Sequence, residues 1–271
     1  MNRPVRTAVS IVAILAILGS LGAAAYVMRL QRGAIPYSSP QPTQQVHATD
    51  LENLRHQRVF FGHQSVGENI LDGLRALYVD HGQKPPAIVA VSGAEELRPM
   101  TGGYLAHSRI GQNGDPESKI AHFDQLIRSG VGAQTDVALM KLCYVDFQRT
   151  TDPQKLYNLY RTTMKGLERD FPEVSFVYTT VPLVSSDGYS SKYVNSLRTQ
   201  FNSLLRAEAN DKVVLDIAAL ETTDEGDSAL TGDFYGFTYE AMRPEHTTDG
   251  GHLNTSGAQR VAGALVKRVG D

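Results

Sequence analysis

The sequence contains very little cysteine, and this scarcity excludes several kinds of protein. Cys143 is the single cysteine among 271 residues, so neither an intramolecular disulfide framework nor a multi-cysteine zinc site can form. Twelve prolines and 24 glycines are too few for a collagen-like or low-complexity fibre. With 41% hydrophobic and 20% charged residues, the chain is typical of a globular protein with one large or two small domains.

The chain also lacks the excess of basic residues that nucleic-acid binding requires. Removing the four arginines of the first 48 residues from the total of 26 basic residues leaves 22, against 29 acidic ones, a net charge of −7. No basic stripe stands out in this remainder, so a nucleic-acid partner is not expected. The overall charge does not favour a polyanionic substrate either.

Charge is absent from one long stretch near the N-terminus. Arg3 and Arg6 precede 22 uncharged residues, 7–28, which are rich in Ile, Leu, Val and Ala. About 20 apolar residues span a bilayer as a helix. Residues 1–30 therefore predict either a signal peptide, cut near Ala23–Ala25, or an uncut signal-anchor. The length of the run favours the anchor, which would bind the protein to a membrane.

Residues 31–48 are rich in Pro, Gln and Ser and predict an extended linker. The remaining residues, 49–271, form the predicted folded domain. We expect this domain to lie outside the cytoplasm, anchored to the membrane, or to be secreted or periplasmic if the N-terminal segment is cleaved.

The folded domain alternates between short apolar runs and longer amphipathic segments. The apolar runs predict five strands, at 58–62, 87–91, 137–142, 174–180 and 213–217. The amphipathic segments predict helices at about 49–55, 66–78, 115–128, 152–170, 190–209 and 256–268. Asp115-Pro116 and Asp152-Pro153 each predict a helix start, with an acidic N-cap followed by proline.

This alternation predicts an α/β fold, in which a mostly parallel five-stranded sheet lies between two layers of helices. Near-continuous apolar strands fit a sheet that is covered on both faces. Ligands of such sheets bind at the carboxyl ends of the strands. The loops that should meet there are 62–67, 92–115, 143–151, 181–189 and 243–255.

Ser65 lies where the first strand gives way to a helix, in Gly62-His63-Gln64-Ser65. Its hydroxyl would lie at the edge of the sheet, and its N–H would point into the same space. These are a nucleophile and half of an oxyanion site. A plain helix N-cap is the alternative interpretation.

Asp249-Gly250-Gly251-His252 precedes the last helix. Two glycines allow the tight turn that brings the Asp249 carboxylate onto the His252 ring, and a carboxylate fixes one ring tautomer so that the other nitrogen can act as a base. The alternative is a solvated turn. The predicted topology places this segment at the same edge as Ser65, which would complete a Ser-His-Asp triad.

With these two segments, the sequence resembles the SGNH (GDSL-type) hydrolases, over about residues 55–269. The family's Gly-Asp-Ser block is replaced here by Gly62-His63-Gln64-Ser65, whereas Asp249-x-x-His252 matches the last block well. The resemblance implies a flavodoxin-like α/β/α fold and a serine esterase or lipase.

The resemblance also implies an oxyanion hole. The second block of the family offers a glycine N–H, for which Gly111 is the candidate beside the Ser65 N–H. The third block, Gly-x-Asn-Asp, is replaced by Cys143-Tyr144-Val145-Asp146 and lacks its asparagine. Asn113 on the neighbouring loop is the predicted substitute, although a turn asparagine is the alternative. His63 is predicted to contact the substrate.

These residues predict an esterase that acts on an O-acyl, for example O-acetyl, ester of a small molecule or glycan. A carbohydrate O-acyltransferase with the same triad and a degenerate glycan-binding domain stay open as alternatives. His63, His107, Asp146, Asp249 and His252 offer metal-ligating atoms but form no local metal motif. The sequence therefore predicts no metal and no cofactor.

Overall fold

A computed structural model describes residues 35–37, 45–208 and 211–270. The predicted membrane segment and most of the predicted linker lie outside these residues. Within the described part of the chain, no helix is long and apolar enough to cross a membrane.

The domain is built on a parallel sheet of six strands, one more than predicted. The strands are β1 (Arg58–His63), β2 (Ala87–Ala90), β3 (Tyr104–Arg109), β4 (Val137–Met140), β5 (Ser175–Thr179) and β6 (Val214–Leu215). Their order in the sheet is β2-β3-β1-β4-β5-β6, and all neighbouring pairs are parallel. The predicted α/β class is confirmed.

The additional strand is β3, which the sequence analysis placed inside a long loop at 92–115. Its residues, Tyr104–Arg109, pair with β1 on one side and with β2 on the other. His107 and Ser108 interrupt the apolar pattern, yet both are buried. The strand forms because the strands on both sides supply hydrogen-bond partners for its backbone and help to bury its side chains. The periodicity of its own sequence does not reveal these neighbours.

Seven helices accompany the sheet in the described ranges. They are α1 (Ala48–His56), α2 (Ser65–Asp80), α3 (Pro116–Leu126), α4 (Pro153–Asp170), α5 (Tyr189–Arg206), α6 (Ile217–Thr222) and α7 (Thr255–Gly270). The two predicted Asp-Pro starts are confirmed, because the Asp115 and Asp152 side chains accept N–H bonds at the first turns of α3 and α4.

Two apolar cores, one on each face of the sheet, hold the layers together. Phe60 of β1 faces the core that α3, α4 and α5 cover. Val59 and Phe61 face the opposite core, beneath α1, α2 and α7. Each strand therefore needs apolar side chains on both faces, which explains the continuous apolar runs.

Helices α2 and α7 pack closely at one point, Gly73. A Cβ atom there would lie 2.3 Å from the backbone carbonyl of Ala258, so only glycine permits this approach. Because α2 begins with Ser65 and α7 begins three residues after His252, this contact relates the two halves of the candidate site.

A two-stranded antiparallel hairpin, β7 (Thr231–Phe234) and β8 (Phe237–Glu240), follows α6. The Phe234 ring tilts against Tyr193 of α5, with 5.5 Å between ring centroids. The aromatic residues of this hairpin thus pack partly against the domain.

Candidate active site

Three side chains meet at the carboxyl edge of the sheet. The Ser65 Oγ lies 3.0 Å from His252 Nε2, and His252 Nδ1 lies 2.7 Å from Asp249 Oδ2. Both distances are those of hydrogen bonds. The structure therefore brings together the alcohol, imidazole and carboxylate that the sequence analysis singled out, although 187 residues separate Ser65 from His252.

Ser65 is the first residue of α2 and not its N-cap. Gln64 occupies the cap position with extended backbone and forms no side-chain cap bond. Its side-chain amide donates instead to the carbonyl oxygens of Ile110 and Gly111, at 2.8 and 3.0 Å. The Ser65 hydroxyl is thus left to His252, and the simple capping interpretation does not hold.

Asp249 is held by its own loop as well as by the histidine. Its Oδ1 accepts the N–H groups of His252 and Gly251, at 2.7 and 2.9 Å. These backbone bonds and the His252 ring keep the pKa of the Asp249 carboxyl well below its usual range. The turn also needs Gly250, whose φ is +85°. The carboxylate therefore stays ionised and holds Nδ1 of His252 protonated.

Tyr144 and Ser185 support the histidine loop from two sides. The Tyr144 ring meets the His252 ring edge-on, with centroids 5.7 Å apart and planes at 80°. The Ser185 N–H donates to the Gly250 carbonyl at 2.8 Å. Sequence reasoning missed both residues, because their contacts come from the loops after β4 and β5.

Gly111, predicted to donate its N–H to an oxyanion, is engaged elsewhere. Its N–H donates to Nδ1 of His122, 3.1 Å away on α3. The predicted role therefore needs correction, because this amide already has an acceptor. The Ser65 N–H remains a candidate donor, since the first amides of a helix lack partners within it.

Asn113 has its amide orientation fixed by a buried lysine. Lys119 Nζ donates to Asn113 Oδ1 at 3.0 Å, so the Asn113 NH₂ group must face away from Lys119. The Asn113 Oδ1 is thus held by Lys119, whereas Asn113 as a whole is exposed to solvent. Asn113 can therefore present N–H donors from the loop after β3, the strand next to that of the serine.

Lys119 is itself held by Asp146, which stands at the last position of the family's third block. Both side chains are fully buried, and Nζ lies 2.7 and 2.8 Å from the two carboxylate oxygens. Asp146 also accepts the N–H groups of Cys143 and Gly114, at 2.6 and 3.0 Å. This pair ties the loop after β3 to the loop after β4, and no local spacing reveals it.

His63, predicted to contact the substrate, is fully buried. Its ring lies against His107, with Nε2 of His63 3.0 Å from Nδ1 of His107. The prediction is therefore wrong: the strand β1 turns this side chain inward, away from the rim where Ser65 lies.

No protein-family model and no curated protein sequence matches this chain. Solved structures, in contrast, do resemble it in fold. A GDSL-like lipase from Bacteroides thetaiotaomicron superposes with a TM-score of 0.50 at 11% identity, covering 79% of this chain and 88% of that one. A GDSL-like protein from Parabacteroides merdae gives 0.51 at 11% identity, covering 84% and 99%.

The chain thus has the α/β/α fold of the GDSL-like hydrolases, and the SGNH resemblance expected from the sequence is confirmed for the fold. Because identity is so low, the likeness establishes the architecture alone. What the site does must be argued from the residues of this chain.

Proposed function

We propose that this protein is a serine esterase that hydrolyses an O-acyl ester. The observation that carries the proposal is the continuous hydrogen-bond chain from Ser65 through His252 to Asp249, with distances of 3.0 and 2.7 Å. A serine beside a base that a third group orients is the arrangement of nucleophilic catalysis.

The geometry assigns each atom a role. His252 Nε2 takes the Ser65 hydroxyl proton as Oγ bonds to the ester carbonyl carbon. Collapse of the tetrahedral adduct breaks the bond to the leaving alcohol, which receives that proton from His252. Water, deprotonated by the same ring, then splits the acyl-enzyme into a carboxylic acid and free Ser65. Asp249 stabilises the imidazolium in both stages.

The developing oxyanion needs donors that are in place before reaction. The Ser65 N–H at the start of α2 is one candidate, and the Asn113 amide, oriented by Lys119 at 3.0 Å, is the second. In this proposal Asn113 supplies the donor that Val145 cannot, since Val145 stands where the family carries its asparagine.

The test is turnover of p-nitrophenyl acetate by the purified full-length protein. Wild type should release p-nitrophenol, and Ser65→Ala should lower kcat by about 10⁴-fold or more. Ser256→Ala is the matched control, because Ser256 is an exposed serine in the first turn of α7. If wild type and Ser65→Ala are equally inert toward several esters, a non-catalytic binding role replaces the proposal.

Whether water or a sugar hydroxyl accepts the acyl group is a separate question, which product analysis with an added sugar acceptor answers. Free acetate as the only acyl product supports the esterase. An acetylated sugar would instead assign the protein to the carbohydrate O-acyltransferases.

We also infer that the domain works outside the cytoplasm. The support is the uncharged run 7–28 behind Arg3 and Arg6. A C-terminal alkaline phosphatase fusion should be active in cells and should lose activity when residues 1–30 are deleted. An inactive full-length fusion would contradict this.

A further inference from the structure

Two buried histidines lie side by side behind the nucleophile. His63 ends β1, and His107 lies in the neighbouring strand β3. Their rings are stacked, with Nε2 of His63 3.0 Å from Nδ1 of His107. The proposed esterase mechanism uses neither ring, so this pair requires an explanation of its own.

The contacts of His63 fix which of its nitrogens carries the proton. Its Nδ1 lies 2.8 Å from the Gln64 carbonyl oxygen, which can only accept a hydrogen bond, so Nδ1 must be protonated. Nε2 then presents a lone pair toward His107. A histidine that binds a metal through one nitrogen commonly donates its other N–H to a backbone carbonyl.

The hydrogen bond between the two rings holds one proton, on Nδ1 of His107, because Nε2 of His63 is its acceptor. A metal ion that binds both nitrogens takes the place of this proton, which is released to solvent.

Glu68, in the first turn of α2, supplies a carboxylate to the same place. The three ligating atoms of His63, Glu68 and His107 all lie within 4.8 Å of one another. Tetrahedral zinc, with bonds of about 2.0–2.1 Å, holds its donors about 3.3 Å apart, so a small inward rotation of Glu68 suffices. The Glu68 side chain is 34% exposed, which leaves a path for an ion.

Among the described residues, Arg109 competes with a cation for this carboxylate. Its Nε and Nη2 lie 3.3 and 3.4 Å from Glu68 Oε1, and its side chain is 66% exposed. Exposed ion pairs at such distances contribute little. The guanidinium can therefore turn to solvent when a cation takes its place.

We propose that His63, His107 and Glu68 form a binding site for one Zn²⁺ ion, with water as the fourth ligand. Two imidazole nitrogens and one carboxylate suit zinc and do not suit Mg²⁺ or Ca²⁺, which prefer oxygen ligands. The ion would join the end of β1, β3 and the first turn of α2 directly behind Ser65. This site does not depend on the esterase proposal.

The test uses full-length protein purified without a histidine tag and stripped with a chelator. Titration with ZnCl₂, followed by calorimetry, should show one site per chain, and zinc should raise Tm. Glu68→Gln and His107→Gln should each weaken binding by at least about 100-fold, the upper end of what loss of an outer-shell partner costs. Co²⁺ should give visible d–d bands that both variants lose.

His56→Gln is the matched control, because His56 and Glu52 form an exposed histidine–carboxylate pair at 3.1 Å on α1. This variant should bind zinc as wild type does. If His107→Gln fails to fold, Glu68→Gln decides, since Glu68 is partly exposed and glutamine preserves its size. No binding by wild type, or equal binding by wild type and Glu68→Gln, overturns the proposal. All three readouts, calorimetry, Tm and the Co²⁺ bands, are independent of ester turnover.

Discussion

One exposed chain of polar residues and two buried polar pairs lie at one edge of this sheet and differ in how they are held. The Ser65–His252–Asp249 chain is partly exposed, with His252 at 36% and Asp249 at 54% side-chain exposure. The Lys119–Asp146 pair and the His63–His107 pair lie beneath it, nearly or fully buried. Polar groups buried in a fold must be paired, whereas exposed ones can be solvated.

The difference teaches which substitutions separate chemistry from folding. Changes in the exposed chain should remove activity and leave stability nearly intact, because water can replace the lost bonds. Changes in the buried pairs should cost stability first, because each leaves a polar group without a partner.

The largest effect is expected for Asp249→Asn. An asparagine would present an amide to the His252 ring and favour the wrong tautomer, so kcat for p-nitrophenyl acetate should fall by about 10⁴-fold. Tm should hardly change, because the residue is exposed. Asp187→Asn, an exposed aspartate in the loop after β5, should keep wild-type kcat. A large loss of Tm in Asp249→Asn would contradict the expectation that changes in the exposed chain remove activity and leave stability nearly intact.

His63→Gln should change how stability depends on pH. The pKa of His63 falls from 6.5 to about 3 on folding, so between those values the unfolded chain binds a proton that the folded chain does not. The free energy of unfolding therefore falls as pH falls from 6.5 to 3, by about 4–5 kcal/mol from this residue.

Chemical denaturation of chelator-treated protein at several pH values measures this slope. In His63→Gln the contribution should disappear, and His107 should leave a smaller slope of the same sign. His81→Gln, at the exposed C-terminal end of α2, is the control and should match wild type. Parallel curves for wild type and His63→Gln would contradict the expected burial of the neutral ring.

Lys119→Met should destabilise the protein by about 3–5 kcal/mol, because the buried Asp146 carboxylate loses its cationic partner. Denaturant unfolding measures the loss. The double variant Lys119→Met/Asp146→Asn removes the stranded charge and should recover a substantial part of it. If the double variant is no better than the single one, packing and not charge accounts for the effect.

Asn113→Ala should have the smallest effect of the four, a fall in kcat of about 100-fold, as expected when one oxyanion donor is lost. Stability should change little, because Asn113 is exposed. Gln112→Ala is the neighbouring exposed control. An unchanged kcat in Asn113→Ala would show that Asn113 does not stabilise the oxyanion.

The parts of the site that the sequence predicts are those encoded in short segments. Ser65 follows a strand that ends in glycine, and Asp249 lies three residues before His252, so their convergence follows once a parallel sheet is assumed. The structure places the three side chains in contact. Their catalytic role stays a prediction.

The parts that sequence reasoning got wrong depend on contacts between distant segments. Gly111 was assigned by position in a motif, but the acceptor of its N–H, His122, lies on the next helix. His63 was placed at the rim because of its nearness to Ser65, yet the strand turns it inward. Lys119 and Asp146 are 27 residues apart, and no periodicity links them.

The fold shows the same division. The strands with uninterrupted apolar runs were predicted to within two residues at each end, including the short β6, Val214–Leu215, predicted at 213–217. β3 was missed because His107 and Ser108 break its apolar pattern, and they are buried only once the strand pairs with β1 and β2. Burial and pairing in the folded protein override the local sequence preference when a short strand has neighbours on both sides.

The close contact between Gly73 and Ala258 has a practical consequence for engineering. Because α2 and α7 meet backbone to backbone there, the spacing between the helix that begins with Ser65 and the helix that follows His252 is set deep inside the domain. Libraries that diversify exposed residues of the neighbouring loops, such as Gln112 and Asp187, and leave Ser185 and this helix contact unchanged are therefore expected to alter ester preference while the reacting atoms keep their spacing.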